Sequence, residues 1–133
     1  KKLSASTLAQ KIINKKEIDD PNRVKMVWNK KNEVLYISRE AIPSKQKYKS
    51  KFEHYKMVCI YTMSYSFLKH YNSLKISKLE NIESIDMLRI VENSLKLGVT
   101  KIRGVVENID TPADVKKVLK LLKKDKLLKR YKN

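Results

Sequence analysis

The stretch Ile109-Asp110-Thr111-Pro112-Ala113-Asp114-Val115 constrains this chain more than any other. A β-like run over 100–106 leads into it, and a helical pattern over 112–129 leaves it. Thr111 is a good N-cap, since its hydroxyl can accept from an orphan amide of the first turn. Pro112 falls at the first helical position, where its missing N–H costs nothing. Asp114, three residues after the cap, sits at the positive end of the helix dipole. A strand–turn–helix joint of this kind belongs to α/β folds, and Asp110 stands at its mouth. Open α/β sheets bind ligands where strand C-termini meet helix N-termini. A carboxylate at that place can hold a divalent cation beside phosphates. It can equally be a plain turn acid, because helix starts are rich in Asp.

The rest of the chain alternates strand and helix patterns. Residues 4–14 read as a short helix with Leu8, Ile12 and Ile13 on one side. Asp19-Asp20-Pro21-Asn22 is a turn. Val24, Met26 and Trp28 alternate with polar neighbours, and 34–38 forms a second strand, so the pair reads as a hairpin across a polar turn at 29–33. The pattern breaks down over 39–56, which carries Pro43 and a run of lysines and reads as a loop or arm. The apolar run 57–61 is expected to be a strand buried on both faces. Ser64 starts a short helix. Ser77 and Glu80 make a capping box for a helix expected to run to Leu97, with Gly98 as its stop. Its stripe of Leu79, Ile82, Ile85, Leu88, Val91 and Leu95, and the later stripe of Val115, Val118, Leu119, Leu122 and Leu127, are core faces. The expected fold is a mixed sheet flanked by helices, a single partial domain over 1–133 with about four strands.

Composition removes several classes of function. The 133 residues are enough for one small core. Cys59 is alone, and His54 and His70 lack metal spacing, so neither a disulfide framework nor a zinc site is indicated. With Gly98 and Gly104 the only glycines, there is no phosphate-cradling glycine loop. No run approaches the roughly 18 apolar residues of a membrane span, and no secretory pattern is present, so a cytoplasmic protein is expected. The net charge of +17 raises a basic nucleic-acid-binding module as a rival reading, with the 45–56 arm and the lysines of the last helix as its surface. Against it, the excess is mostly Lys and is spread over nearly every segment. Arg, the usual bidentate reader, is sparse.

Five pieces of the sequence, in order, resemble one family. Asp20-Pro21-Asn22 followed by Val24-Lys25-Met26-Val27 is similar to a D-P-N-x-V-K-V-V entry motif. Leu35-Tyr36-Ile37-Ser38-Arg39 through Ile42-Pro43 is similar to L-Y-F-S-R-x-x-I-P. His54-Tyr55-Lys56-Met57-Val58-Cys59-Ile60-Tyr61 is similar to a Y-x-H-I-G-I-Y strand. Residues 79–89 resemble L-E-x-x-E-x-L-E-Q-L-R, and 109–115 resemble V-D-T-P-E-D-L. These motifs belong to the C-terminal half of the CMP-Kdo synthetases, the 3-deoxy-manno-octulosonate cytidylyltransferases, and of relatives that activate other ulosonic acids. The family's opening nucleotide loop and its Asp-Glu-Pro segment have no counterpart here.

The resemblance implies the C-terminal part of a Rossmann-like nucleotidyltransferase fold and a CTP-dependent transfer. In it the anomeric hydroxyl of an ulosonic acid attacks the α-phosphate of CTP, giving a CMP-sugar and pyrophosphate, a step of lipopolysaccharide biosynthesis. It implies Mg²⁺ as cofactor with Asp110 as one ligand. Arg39, Tyr61 and Asp86 are implied as substrate-binding residues, and a homodimer is implied for the complete protein, with the 39–56 arm contributing. This segment alone, lacking the CTP-binding half, is expected to be inactive. On the residues alone, Arg39 is a solvated charge after a strand, Tyr61 a core-edge residue, Asp86 a helix-surface acid, and Glu80 and Glu83 capping and surface acids. Met57 stands where the Kdo enzymes usually have His, Met87 for Gln, Asp86 for Glu and Cys59 for Gly, which leaves a related ulosonic acid open. A non-catalytic remnant of the enzyme fold is the remaining alternative.

Overall fold

The computed structural model describes residues 4–46, 52–104, 106–109 and 111–131. They form a five-stranded mixed sheet with helices around it. The strands are β1 (Ala5–Lys11), β2 (Lys25–Trp28), β3 (Val34–Ser38), β4 (Tyr55–Met63) and β5 (Gly98–Ile102), in the order β3-β2-β4-β1-β5. Only the β1–β5 pair is parallel. The helices are α1 (Tyr65–Ser73), α2 (Lys78–Glu83), α3 (Leu88–Glu92) and α4 (Pro112–Leu122).

The first segment corrects the helix expected over 4–14. Ala5–Lys11 is a strand, with β4 on one side and β5 on the other. Alanine, leucine and glutamine favour helix locally, but two ladders of backbone hydrogen bonds override that preference. The small side chains are what the position needs. Ala5 and Ala9 are buried and leave room for the larger core residues Met26, Ile37, Leu88, Ile90 and Leu97.

The β2–β3 hairpin forms as expected. Asn29 organises its turn, accepting through Oδ1 from the amides of Lys31 (2.8 Å) and Glu33 (3.1 Å). The hairpin then leaves the sheet. β2 pairs with β4 only at Lys25 and Lys56. Its far end bonds to the start of β5, Val34 N–H to Leu97 O at 2.8 Å and Val99 N–H to Asn32 O at 2.9 Å. Core residues from both layers, Met26, Val34 and Ile37 with Ala9, Met57 and Val99, therefore enclose one apolar interior.

The third strand is only partly the doubly buried run expected. β4 begins at Tyr55, so it takes the last two residues of the segment read as an arm, while residues 47–51 of that segment lie outside the described residues. Lys56, Met57 and Val58 are buried, but Cys59 and Ile60 are exposed. The register shows why. Thr7 of β1 faces Tyr61, whereas its neighbour Leu8 faces Val58, so β4 bulges at Cys59–Ile60. The buried Thr7 hydroxyl lies 3.2 Å from Val58 O and 3.3 Å from Ile60 O, and it donates to the carbonyls the bulge leaves open.

The long helix expected from Ser77 to Leu97 is two short ones. Ser77 and Glu80 do form a capping box, but α2 stops at Glu83, where Ser84 turns left-handed at φ 51°. The cause lies 45 residues away in sequence. The Arg39 guanidinium donates to Glu83 O (2.6 Å) and Ser84 O (3.1 Å), the carbonyls a continuing helix would need. The Met87 amide goes instead to Asp86 Oδ1 at 2.9 Å. Gly98 is the first residue of β5 rather than a helix stop, and β5 ends at Ile102 rather than 106.

α4 starts at Pro112 but ends at Leu122, well before Lys129, with a turn and a 3-10 segment following. Its apolar residues do not face a core: Val115, Leu119 and Leu122 are exposed, as is Leu127 beyond it, and Val118 is half-buried. The whole chain exposes 10215 Å², against about 7,000 Å² for a compact monomer of its mass. Among the described residues, no helix is long and apolar enough to cross a membrane.

Candidate functional site

At one end of the sheet β4 delivers Tyr61 beyond the bulge, and the α2–α3 turn delivers Asp86. The two are electrostatic neighbours. Burial pushes the Tyr61 hydroxyl far above its ordinary range, and the charges of Cys59 and Asp86 add to the effect. Its hydroxyl lies 4.0 Å from the Met57 sulfur, a weak acceptor. Tyr71 from α1 joins them, donating to the Asp86 backbone carbonyl at 3.2 Å. Burial raises its pKa too, with Asp86 the next cause. The Arg89 guanidinium stacks 4.7 Å from the Tyr71 ring centroid and forks onto Glu80, with Nε to Oε2 at 2.7 Å. Asp86 itself is exposed. The result is a cluster of two phenols and a carboxylate, linked by the Tyr71–Asp86 hydrogen bond and by electrostatic coupling to Tyr61.

A clamp holds the turn that carries Asp86. Arg39, at the end of β3, donates to Pro21 O (2.9 Å) as well as to Glu83 O and Ser84 O. Glu83 answers with its carboxylate, accepting from the Ser38 hydroxyl (2.7 Å), the Arg39 amide (2.9 Å) and the Tyr36 hydroxyl (3.3 Å). Glu83 is thus a staple between α2 and β3, not the surface acid expected. Lys25 is fully buried; its ammonium donates to Asp20 O at 2.9 Å and to Arg39 O. Burial lowers its pKa, and Asp20, Glu40, Asp19 and Glu83 oppose that shift.

Around the opposite margin, a narrow cleft is lined by Gln10, Asn22, Arg23, Lys56, Cys59 and Asn108. Gln10 accepts from the Val106 amide (3.2 Å), and the buried Lys56 pairs with Glu17 at 2.8 Å. Beyond the cleft comes the capped start of α4. Asp114 Oδ2 accepts from the Thr111 amide (3.0 Å) and the Thr111 hydroxyl (2.8 Å), so that hydroxyl spends its proton on the carboxylate. Asp110 lies outside the described residues, between Ile109 and the capping Thr111. Among the described residues no group of three or more His, Cys, Asp or Glu side chains is placed to hold a metal ion.

Of the residues singled out from sequence, Tyr61 and Asp86 are coupled electrostatically, and Arg39 reaches the Glu83–Ser84 turn through its carbonyls. Sequence reasoning missed Tyr71, the Arg89–Glu80 fork, the role of Glu83 and the buried Arg23. The second and third had a local signal, since Glu80, Glu83 and Arg89 all fall within the Leu79–Arg89 motif. Met57 and Met87, at positions where the resembled enzymes carry polar residues, are both buried in the core. Three of the five arginines are engaged internally: Arg23 with Asp114, Arg39 with carbonyls, Arg89 with Glu80. Lys11, Lys45, Lys56, Lys96 and Lys117 each pair with a carboxylate.

Comparison with known proteins gives a consistent result. Residues 1–109 match the cytidylyltransferase family. The chain is 32% identical over 127 residues to the 3-deoxy-manno-octulosonate cytidylyltransferase of Fusobacterium nucleatum, covering 96% of this chain and 51% of that enzyme. It is 35% identical over 122 residues to the enzyme of the same name from Francisella tularensis, covering 87% of this chain and 49% of that one. A solved structure of CMP:2-keto-3-deoxy-manno-octonic acid synthetase complexed with CTP superimposes with a TM-score of 0.81 at 30% identity, over 92% of this chain and 50% of that one. The chain spans about half the length of the relatives it matches.

Proposed function

Because the chain belongs to the cytidylyltransferase family, we propose that it supplies the sugar-side half of an enzyme that activates a 3-deoxy-ulosonic acid with CTP. The sugar's anomeric hydroxyl attacks the α-phosphate, a new C–O–P linkage forms, and pyrophosphate leaves. Tyr61 and Asp86 contact the sugar. Asp86, as a carboxylate, accepts from sugar hydroxyls. Tyr61 stays protonated and donates. Arg39, held in place by the carbonyls it clamps, turns its remaining N–H groups toward an anionic group such as the sugar carboxylate.

The observation that supports this reading is the electrostatic coupling of Tyr61 and Asp86, which come from different elements. The motif resemblance implies sugar-contact roles for both. Burial of Met57 and Met87 replaces two polar positions of the resembled enzymes with apolar ones, so the sugar is Kdo or a relative with fewer demands there.

Asp110 is the chain's contribution to a Mg²⁺ site. One carboxylate does not make such a site, since Mg²⁺ takes near-octahedral oxygens, one or two carboxylates being joined by phosphates and water. In this reading the other protein ligands come from the part of the enzyme that this chain does not span. When bound, the ion neutralises phosphate charge. A homodimer of the complete protein is part of the same reading.

The test is a chimera in which the remaining half of the Fusobacterium nucleatum enzyme is joined to this chain. Pyrophosphate release from CTP that depends on Kdo or another ulosonic acid supports the reading, with the unjoined chain inactive. A folded chimera that turns over no ulosonic acid refutes it.

A further inference from the structure

The Asp20–Arg23 turn touches both margins of the candidate site. Toward the sugar side, Pro21 O accepts from Arg39 and Asp20 O accepts from Lys25. Toward the strand-end side, Arg23 reaches across the fold. Its guanidinium lies 3.2 Å from Asp114 Oδ1, 3.5 Å from Glu107 Oε2 and 4.0 Å from Asp20 Oδ2. Arg23 and Asp114 are 91 residues apart in sequence, and both are about nineteen-twentieths buried. Glu107, three residues before Asp110, and Asp114, four after it, are thus held by one cation. A buried carboxylate and guanidinium that lose each other are left with an uncompensated charge, so the pair fixes one arrangement of the backbone it spans.

We infer that Arg23 and Asp114 are positioning residues, a buried pair that locks Glu107 and the Thr111–Asp114 start of α4 against the Asp20–Arg23 turn and so sets the spacing between the two margins of the site. This deepens the proposed function and rests on it for its consequence in catalysis. Arg23 occupies the variable position of the D-P-N-x-V-K motif, so the motif by itself assigns it nothing. The lock works through local bonds at each end. Asp114 Oδ2 holds the Thr111 amide and hydroxyl, while Oδ1 takes Arg23 and Lys117 (3.2 Å). At the other end the Arg23 amide donates to Asp20 O at 3.0 Å. With the guanidinium removed, the capping bonds persist but the cap is no longer tied to the turn.

Amide hydrogen exchange in this chain tests the lock without any assay of activity. In Arg23→Met the amides of Thr111 and Asp114 should exchange at least tenfold faster. Those of β1, such as Ala9, should stay within about twofold. The Arg23→Met/Asp114→Asn double variant should be no faster at these amides than Asp114→Asn alone, since a pair is lost only once. Should Arg23→Met fail to fold, Arg23→Lys, which keeps the charge and loses the fork, reads the same amides. Unchanged exchange at Thr111 and Asp114, or a uniform acceleration across β1 and α4, overturns the lock.

In the chimera, Arg23→Met should lower kcat at least tenfold while the KM for the sugar stays within about twofold. A rise in sugar KM at unchanged kcat overturns the positioning role. An inactive wild-type chimera counts against the proposed function instead, and the exchange result still decides the pair.

Discussion

Glu83→Gln discriminates sharply between two views of the α2 terminus. As a surface acid, its replacement by the isosteric amide would change stability by less than about 0.5 kcal/mol. The structure makes it a three-way acceptor. One oxygen takes the Ser38 and Tyr36 hydroxyls, and the other takes the Arg39 amide. Gln has a single carbonyl oxygen, so one side of the carboxylate becomes an NH₂ group facing a donor. Hydrogen bonds to a charged acceptor are each worth about 1.5–3 kcal/mol, and a donor left without its acceptor costs about 1–3 kcal/mol. Ser38 is buried, so water cannot fully replace the lost partner. A net loss of about 2 kcal/mol follows. For a chain of this size that lowers Tm by about 6–8 °C and the urea midpoint by about 1 M. Equilibrium urea unfolding of the two proteins at neutral pH measures it. A midpoint unchanged within about 0.2 M would refute the staple.

Three further outcomes follow from the same geometry. The Asp114 carboxyl is held down to about 2, first by the Thr111 hydroxyl and then by Lys117. A depressed carboxylate contributes stability that is full above its unfolded value near 4 and is lost as pH falls toward 2. The acid limb of Tm against pH should therefore flatten between about pH 4 and 2 in Asp114→Asn. Tyr61, pushed up by burial, should not ionise with the exposed tyrosines, so tyrosinate absorbance at about pH 11 should be the same in Tyr61→Phe. Thr7→Val keeps the shape of a buried side chain but strips the donor from the Val58 and Ile60 carbonyls, and thermal unfolding should register a loss of about 1–2 kcal/mol.

What the sequence reveals here is what lies within one or two turns of chain. The Ser77–Glu80 box, the Ser64 cap, the Thr111-Pro112 helix start and the Asn29 hairpin turn are local chemistry, and each appears where its residues place it. The β2–β3 hairpin is legible in the same way, from alternation. Ala5–Lys11 is not, because its strand character comes from partners on both sides rather than from its own residues. The break at Ser84 is set by Arg39, and the burial of Arg23 by Asp114; neither has a signal within its own neighbourhood. The stripe on α4 misleads for a different reason. Its spacing is that of a core face, but among the described residues nothing large packs on it. As candidate site residues, Tyr61 and Asp86 are singled out only by the order of the motifs, since a phenol at a strand end and an acid after a helix are otherwise ordinary.

The most direct test of the central claim is turnover of the chimera with Asp110→Asn at limiting Mg²⁺. Asparagine is as good a turn residue as aspartate, so folding should survive the change. A residue that shares a metal beside the CTP phosphates cannot lose its charge cheaply, and the rate of ulosonic-acid-dependent pyrophosphate release should fall by orders of magnitude. A rate within a few-fold of the unaltered chimera would make Asp110 a turn acid and contradict the account.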